Sequence, residues 1–168
     1  WNKKGIYQGW TDIPLSKEGE MQTKCLGKRF ENTALKLDAV YSSPLQRAIQ
    51  TAKAMADAKG LPVITDVHFK EINFGEWEGY TVKQLSEKYG KSYTDFYEHP
   101  FTYPFPGEGH FQSVMERSTK GFHELLEKHK GQNVAIVSHG GVLRVLIMAL
   151  MDMDETFYRK TWLSNTSI

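Results

Sequence analysis

Four segments of this sequence carry residue types that do chemistry on anions. The first is Ser138-His139-Gly140-Gly141, where the apolar run Val134-Ala135-Ile136-Val137 leads into an imidazole and two glycines open a helical pattern. A helix start offers unpaired N–H groups and the positive end of a dipole, and a histidine beside it adds another donor. Together these suit a phosphoryl oxygen. Gly140 and Gly141 would let a bulky anion approach the backbone; the competing reading is a histidine that only caps the helix. The second segment is Ser42-Ser43-Pro44-Leu45-Gln46-Arg47. A guanidinium in the first turn of a helix opposes the helix dipole, so Arg47 needs an anion or a carboxylate nearby. Its planar donors can clamp a phosphoryl group, although a surface pairing with Asp or Glu explains it equally well.

The third segment, Glu71-Ile72-Asn73-Phe74-Gly75-Glu76-Trp77-Glu78-Gly79, sets three carboxylates among apolar and aromatic residues. A carboxyl against apolar walls keeps its proton more easily, as a general acid must. Glu71 and Glu78 are the candidates for work, with Glu76 a solvated partner. The fourth is the front, Trp1-Asn2 and Gln8-Gly9-Trp10-Thr11-Asp12. Here Asn2 and Gln8 could supply neutral donors and Gly9 a close backbone approach, or the whole stretch is an ordinary glycine-containing loop.

Other features narrow the chemistry. Of the remaining histidines, His68, His99, His110, His123 and His129, no pair has metal-ligand spacing, so neither a metal nor a cofactor is expected. His123 and His129 fall on a helical pattern and read as solvated, while His110 follows Gly107-Glu108-Gly109 and could reach a substrate. The single cysteine, Cys25, excludes an internal disulfide and reads as buried packing. A formal net charge of +1 gives no footprint for nucleic acid or an anionic membrane. No apolar run is long enough to span a bilayer, and no secretory leader is visible, so a cytoplasmic protein is expected.

The elements that must position these residues follow from periodicity. The 168 residues, 40% hydrophobic and 24% charged and without repeats, read as one domain spanning 1–168. Ser16 is a plausible N-cap for a helix to about Ala34, and a short strand follows within Asp38–Ser43. Ser43-Pro44 reads as N-cap and first helical position. The helix beyond places Leu45, Ala48, Ile49, Ala52, Met55 and Ala56 on one face. Gly60 closes it, and Pro62 begins a strand at Val63-Ile64. Thr81 and Gln84 form a capping box for a helix to about Tyr89. Residues 91–110 read as an irregular stretch with one helical turn, part of a lid or insertion over 80–110. An amphipathic helix is expected from Phe111 to His129. The strand Asn133–Ser138 reads as buried on both faces, as in a parallel sheet covered by helices, and a strongly apolar helix runs from Gly140 to about Met151. Alternating strands and helices argue for an α/β domain, whose ligands bind where strands end and helices begin. Trp1 at the front, and Leu163–Ile168 reading as the lead-in to a further strand, lead to the expectation that both ends are trimmed.

Taken in order, the four segments resemble the histidine phosphatase superfamily, the phosphoglycerate-mutase-like proteins. Trp1-Asn2, Gly9-Trp10-Thr11-Asp12-Ile13-Pro14-Leu15, Ser42–Ala48 with Gln50-Thr51-Ala52, Glu71–Gly79 and Val137–Gly141 match its motifs over nearly the whole chain. The resemblance implies a three-layer α-β-α fold with a mostly parallel central sheet. It also implies two in-line phosphoryl transfers through a phosphohistidine, without a metal. In that scheme Arg47, His139 and Asn2 bind the phosphoryl group and Glu71 is the general acid and base; Gln8, Gly9 and Gly140 are the further candidates for binding phosphate or substrate. The departure is the family's Arg-His-Gly motif, which carries the attacking histidine. It should stand just before Trp1, and no residue of this sequence replaces it.

Mutase branches resemble one another in a longer insertion with paired basic residues. Lys83–His110 is short and has no adjacent basic pair, and its rings Tyr93, Phe96, Tyr97, Phe101, Tyr103 and Phe105 suit either a partly apolar substrate wall or packing of the lid. The expectation is therefore a phosphomonoester phosphatase acting on a small phosphorylated metabolite, as a monomer or homodimer. The alternatives are a phosphoglycerate mutase, or a non-catalytic phospholigand-binding relative if the upstream histidine is lacking.

Overall fold

The computed structural model describes residue 1 and residues 4–168. Three parallel strands form the sheet in the order β2-β1-β3: β1 (Ala39–Ser42), β2 (Val63–Thr65) and β3 (Val134–Val137). Around them run α1 (Lys17–Glu31), α2 (Gln46–Ala58), α3 (Val82–Tyr89), α4 (Lys91–Glu98), α5 (Phe111–Lys128), α6 (Gly140–Leu150) and α7 (Glu155–Lys160). Strand periodicity sorts the layers. Val40, Ala135 and Val137 pack with Leu26 and Phe30 of α1 and Ala52, Met55 and Ala56 of α2 on one face. Ala39, Tyr41, Val134 and Ile136 meet Leu125 of α5 and Leu146 of α6 on the other. Successive strand side chains point to opposite faces, so one short sheet builds both cores, and the chain is a three-layer α/β fold.

The connections set where a ligand would go. The crossover from β1 through α2 to β2 leaves β1 on one side, and the return through α5 brings β3 to its other side. The carboxyl ends of β1 and β3 therefore flank a topological switch point. Ser43 N donates to Val137 O at 2.9 Å there, so the segments Ser42–Arg47 and Ser138–Gly141 emerge side by side.

Several local expectations match the elements. The Ser16 side chain caps α1, and Thr81 and Gln84 form the reciprocal capping box on α3. Others need correction. Helix α1 stops at Glu31, short of Ala34. Cys25 is exposed, because the buried stripe of α1 runs through Thr23, Leu26, Gly27 and Phe30 and leaves Met21 and Cys25 on the outer face. Ser43 is not the N-cap of α2; that position is Leu45, and the Ser43 hydroxyl instead faces His139. Strand β3 is half-buried along its length, because it lies at the edge of the described sheet. Residues 91–98 form a full helix, α4, whose Tyr93 and Phe96 are buried. His129 is half-buried, and its Nε2 lies 2.9 Å from the Tyr41 hydroxyl. The segment Leu163–Ile168 forms no strand, and the short helix α7 before it carries no apolar stripe that periodicity could detect.

The aromatic rings of 91–110 mostly serve packing. Tyr93, Phe96 and Phe105 join Trp77, Phe111 and Val142 in one core, and Phe101 packs at a tilt against Phe111 with 4.8 Å between ring centres. Only Tyr97 and Tyr103 of the six rings are strongly exposed. Among the described residues no helix is long and apolar enough to cross a membrane.

Candidate active site

His139 ends the β3 connection as the N-cap of α6, with extended backbone and no cap from its own side chain. Its ring is buried, at 8% exposure. Nε2 sits 2.7 Å from the Ser43 hydroxyl, which also accepts from Leu45 N at 3.3 Å. Where the Ser43 hydroxyl donates to Nε2, the neutral ring carries its proton on Nδ1. Nδ1 faces the Glu71 carboxylate, with Oε2 at 4.0 Å, too far for a hydrogen bond. Burial pushes the His139 pKa well below the usual imidazole value, and the charges of Arg47 and Arg117 push it further. The ring is therefore a neutral donor at physiological pH.

Glu71 lies just after the 3-10 turn 67–69 and at the head of its loop. Burial raises its pKa, opposed by the Ile72 amide, which donates to Oε1 at 2.9 Å, and by the fields of Arg47, Arg117 and Arg144. The side chain is 17% exposed, so desolvation is substantial without sealing the carboxyl away from its surroundings. Burial raises the carboxyl and lowers the imidazole, so the environments of this pair drive the two pKa values apart. Gly141 is what allows the approach. A Cβ there would lie 3.0 Å from Glu71 Oε1 and 2.8 Å from Ile72 Cδ1, whereas a Cβ at Gly140 would meet open space. Of the two glycines, the second is thus demanded by protein packing, and Gly140 leaves the α6 N-terminus uncovered.

Arg47 projects from the first turn of α2 and is half-buried. Its Nη2 donates to Gly9 O at 2.8 Å and its Nη1 to Thr11 O at 3.0 Å. Burial lowers its pKa, opposed by Glu71, Asp12 and Glu78 in that order. Its hydrogen bonds thus go to backbone carbonyls, and the fields of Glu71, Asp12 and Glu78 favour its charge. Asp12 Oδ1 accepts from Gln46 N at 2.8 Å and so acts as the anion at the α2 N-terminus.

The front loop is held by Glu78. Its carboxylate accepts from Trp10 N and Thr11 N, both at 2.8 Å, from the Thr11 hydroxyl, and from Phe74 N at 3.1 Å. Glu78 thus organises two loops, and its oxygens are committed to them. The close approach expected of Gly9 is to this carboxylate: Gly9 has φ +51°, and a Cβ there would sit 2.0 Å from Glu78 Oε1. Gln8 is half-buried in the same loop, Glu76 is exposed, and His110 is exposed at the α5 N-cap. Asn2 lies outside the described residues.

Two arginines escaped the reading of the sequence. Arg117 of α5 donates to the carbonyls of His68 and Glu71 and pairs with Glu108. Arg144 of α6 donates to Gly140 O at 3.1 Å, Tyr158 O at 3.0 Å and Thr161 O at 3.2 Å, with its guanidinium 4.0 Å over the Tyr158 ring. Arg117 had a detectable signal. It sits three residues after buried Val114 and four before buried Gly121, on the inward face of an amphipathic helix, where a charge needs a partner.

The family model described as "Histidine phosphatase superfamily (branch 1)" matches residues 1–168. Phosphoserine phosphatase 1 of Hydrogenobacter thermophilus is 38% identical over 155 residues, covering 92% of this chain and 72% of that protein. A 2,3-bisphosphoglycerate-dependent phosphoglycerate mutase of Brucella anthropi is 30% identical, over 89% of this chain and 75% of that one. Among solved structures, phosphoserine phosphatase of Entamoeba histolytica in complex with 3-phosphoglyceric acid superposes with a TM-score of 0.85 at 31% identity. That match covers 99% of this chain and 81% of the other. The chain belongs to the histidine phosphatase superfamily.

Proposed function

We propose that the chain forms the body of a metal-independent phosphomonoester phosphatase working through a phosphohistidine, with the attacking histidine carried by an Arg-His-Gly segment before Trp1 in the full-length protein. The observation that carries this reading is the Glu71–His139 pair at the β1/β3 switch point, Nδ1 to Oε2 at 4.0 Å, where burial raises the pKa of the carboxyl and lowers that of the imidazole. In the first transfer the attacking nitrogen bonds to phosphorus as the ester P–O bond breaks. Glu71 gives its proton to the departing alkoxide. His139 Nδ1–H and the remaining N–H groups of Arg47 hold the equatorial oxygens as negative charge builds, together with the α6 amides beside Gly140 and with Asn2 and Gln8. In the second transfer water attacks phosphorus, the N–P bond breaks, and the Glu71 carboxylate takes the proton from water, which restores the acid and releases inorganic phosphate.

The names of the relatives support a small phosphorylated acid as substrate, phosphoserine or a phosphoglycerate. A mutase is the second reading, favoured by the Brucella relative; the packing of Tyr93, Phe96 and Phe105 into the core speaks against a mutase-type basic insertion there. The test is to assay full-length protein for phosphate release from phosphoserine and an aryl phosphate, and in parallel for interconversion of the phosphoglycerates. Release without interconversion is expected. Interconversion without net release would make the chain a mutase.

A further inference from the structure

Glu71 is fixed through its backbone as well as its side chain. Its carbonyl oxygen accepts from two distant elements: Arg117 Nη2 of α5 at 3.1 Å and Trp10 Nε1 of the front loop at 2.6 Å. Arg117 spends its other donors next door. Nη1 donates to His68 O at 2.7 Å, Nε donates to Glu108 Oε1, and Nη2 is shared with Glu108 Oε2 at 3.2 Å. The pair is well covered, with side-chain exposures of 19% and 12%. Glu108 belongs to the end of the 80–110 segment and is itself docked on the acid loop. Asn73 N donates to Glu108 Oε2 and Glu108 N donates to Asn73 O, both at 3.0 Å. Gly107, with φ +85°, makes this docking possible, since a Cβ there would stand 2.4 Å from Asn73 O. Trp10 is steadied in turn by Lys70 Nζ, 3.7 Å from its ring centre.

We infer that Arg117, locked by Glu108, is a positioning residue for Glu71, with Trp10 as its counterpart on the front loop. This inference rests on the proposed role of Glu71 as general acid. The physical reason is that a carboxyl delivers its proton only from a narrow range of positions, and a misplacement of about 1 Å can cost on the order of 100-fold. The Glu71 side chain is short of anchors of its own. Oε1 has the Ile72 amide, and Oε2 accepts no hydrogen bond among the described residues. Its aim is therefore set by where the backbone is pinned, and two of the pins are the donors from α5 and the front loop.

Leaving-group dependence separates this role from a merely structural one. A phosphoryl transfer that expels an alkoxide needs the acid, whereas one that expels dinitrophenolate does not. Full-length Arg117→Lys, Trp10→Phe and Glu71→Gln proteins are compared on phosphoserine and on 2,4-dinitrophenyl phosphate, each protein first checked for cooperative unfolding. Losses are read as kcat/KM, which reports the first phosphoryl transfer alone, since kcat also includes the second transfer in which Glu71 is the base. For Arg117→Lys and Trp10→Phe we expect kcat/KM on phosphoserine to fall by about 10- to 100-fold, with little loss of kcat/KM on the dinitrophenyl ester. Trp10 is 40% exposed, so its variant keeps the test alive if Arg117→Lys fails to fold. Equal losses on the two esters, or no loss on either, in a folded variant overturn the inference. If Glu71→Gln itself shows no leaving-group bias, what fails is the acid role of Glu71 on which the inference rests, and the two failures are told apart.

Discussion

Replacing Glu78 with alanine should unlatch the front loop and with it Arg47. The carboxylate accepts from three backbone amides and one hydroxyl, on Trp10, Thr11 and Phe74. Hydrogen bonds to a charged acceptor are each worth about 1.5–3 kcal/mol in protected sites. Water can reach the Trp10 and Thr11 donors, which reduces the sum, so a loss of about 2–4 kcal/mol is expected. For a chain of this length that corresponds to a fall in Tm of about 5–15 °C. Gly9→Ala should reach a similar cost by another route. Its φ of +51° costs about 1–2 kcal/mol for a residue with a Cβ, and that Cβ would displace Glu78 Oε1 from 2.0 Å away. In the Glu78→Ala background the obstruction is gone and only the backbone cost remains, so the two changes should be less than additive by about 2 kcal/mol. Urea unfolding of the parent, the two single variants and the double variant measures this cycle. Equal costs for Gly9→Ala in both backgrounds would refute the idea that this glycine exists to admit Glu78.

Four further outcomes are expected. Arg47→Ala should lower phosphatase turnover by several kcal/mol of transition-state stabilisation, roughly 100-fold or more, and near-normal kcat/KM would remove Arg47 from the phosphoryl site. The raised pKa of Glu71 predicts that kcat on an alkyl phosphate falls as pH rises through the value for the folded enzyme, a limb that Glu71→Gln should lack; the same shift means that stability from this group is full below its unfolded pKa and is lost as pH rises through the folded one. The lowered pKa of His139 acts in the other direction, with stability present above the unfolded imidazole value and lost as pH falls toward the folded one, so acid titration of His139→Asn should show a shallower loss. Gly141→Ala should be damaging and Gly140→Ala tolerated by the fold, since only the first places a Cβ against Ile72 and Glu71; equal thermal stabilities of the two variants would contradict that asymmetry.

How far the fold and site could be read beforehand depended on how local the signals were. Helix starts with their own chemistry, Ser16 on α1 and the Thr81–Gln84 box on α3, were legible because caps act within four residues. The α5 boundaries followed from one long apolar stripe. What depends on distant partners was harder to see. Val134–Val137 is apolar enough for a central strand, yet its burial is decided by which strands flank it. Ser43 carries the composition of a cap, but 96 residues along the chain His139 claims its hydroxyl. The segment 91–98 looked irregular because its neighbours are rich in Pro and Gly, while burial of Tyr93 and Phe96 against Trp77 stabilises the helix. At the site, His139, Arg47 and Glu71 stood out as residue types out of place in their segments. Glu78 was singled out for chemistry, but its carboxylate is occupied by two loops. The Arg117–Glu108 pair was invisible as a pair, although each half held a clue, a charge on an inward face and an acid between two glycines.

The most direct test is to look for the phosphorylated enzyme. Full-length protein, and its Glu71→Gln variant, would be mixed with an aryl phosphate labelled on phosphorus and quenched within milliseconds. A label bound to protein that survives base and is lost in acid, and that maps to a histidine upstream of Trp1 and accumulates further in the Glu71→Gln variant, is the expected result. Phosphate release with no such species, or with the label on a serine or on His139, would contradict the proposed mechanism.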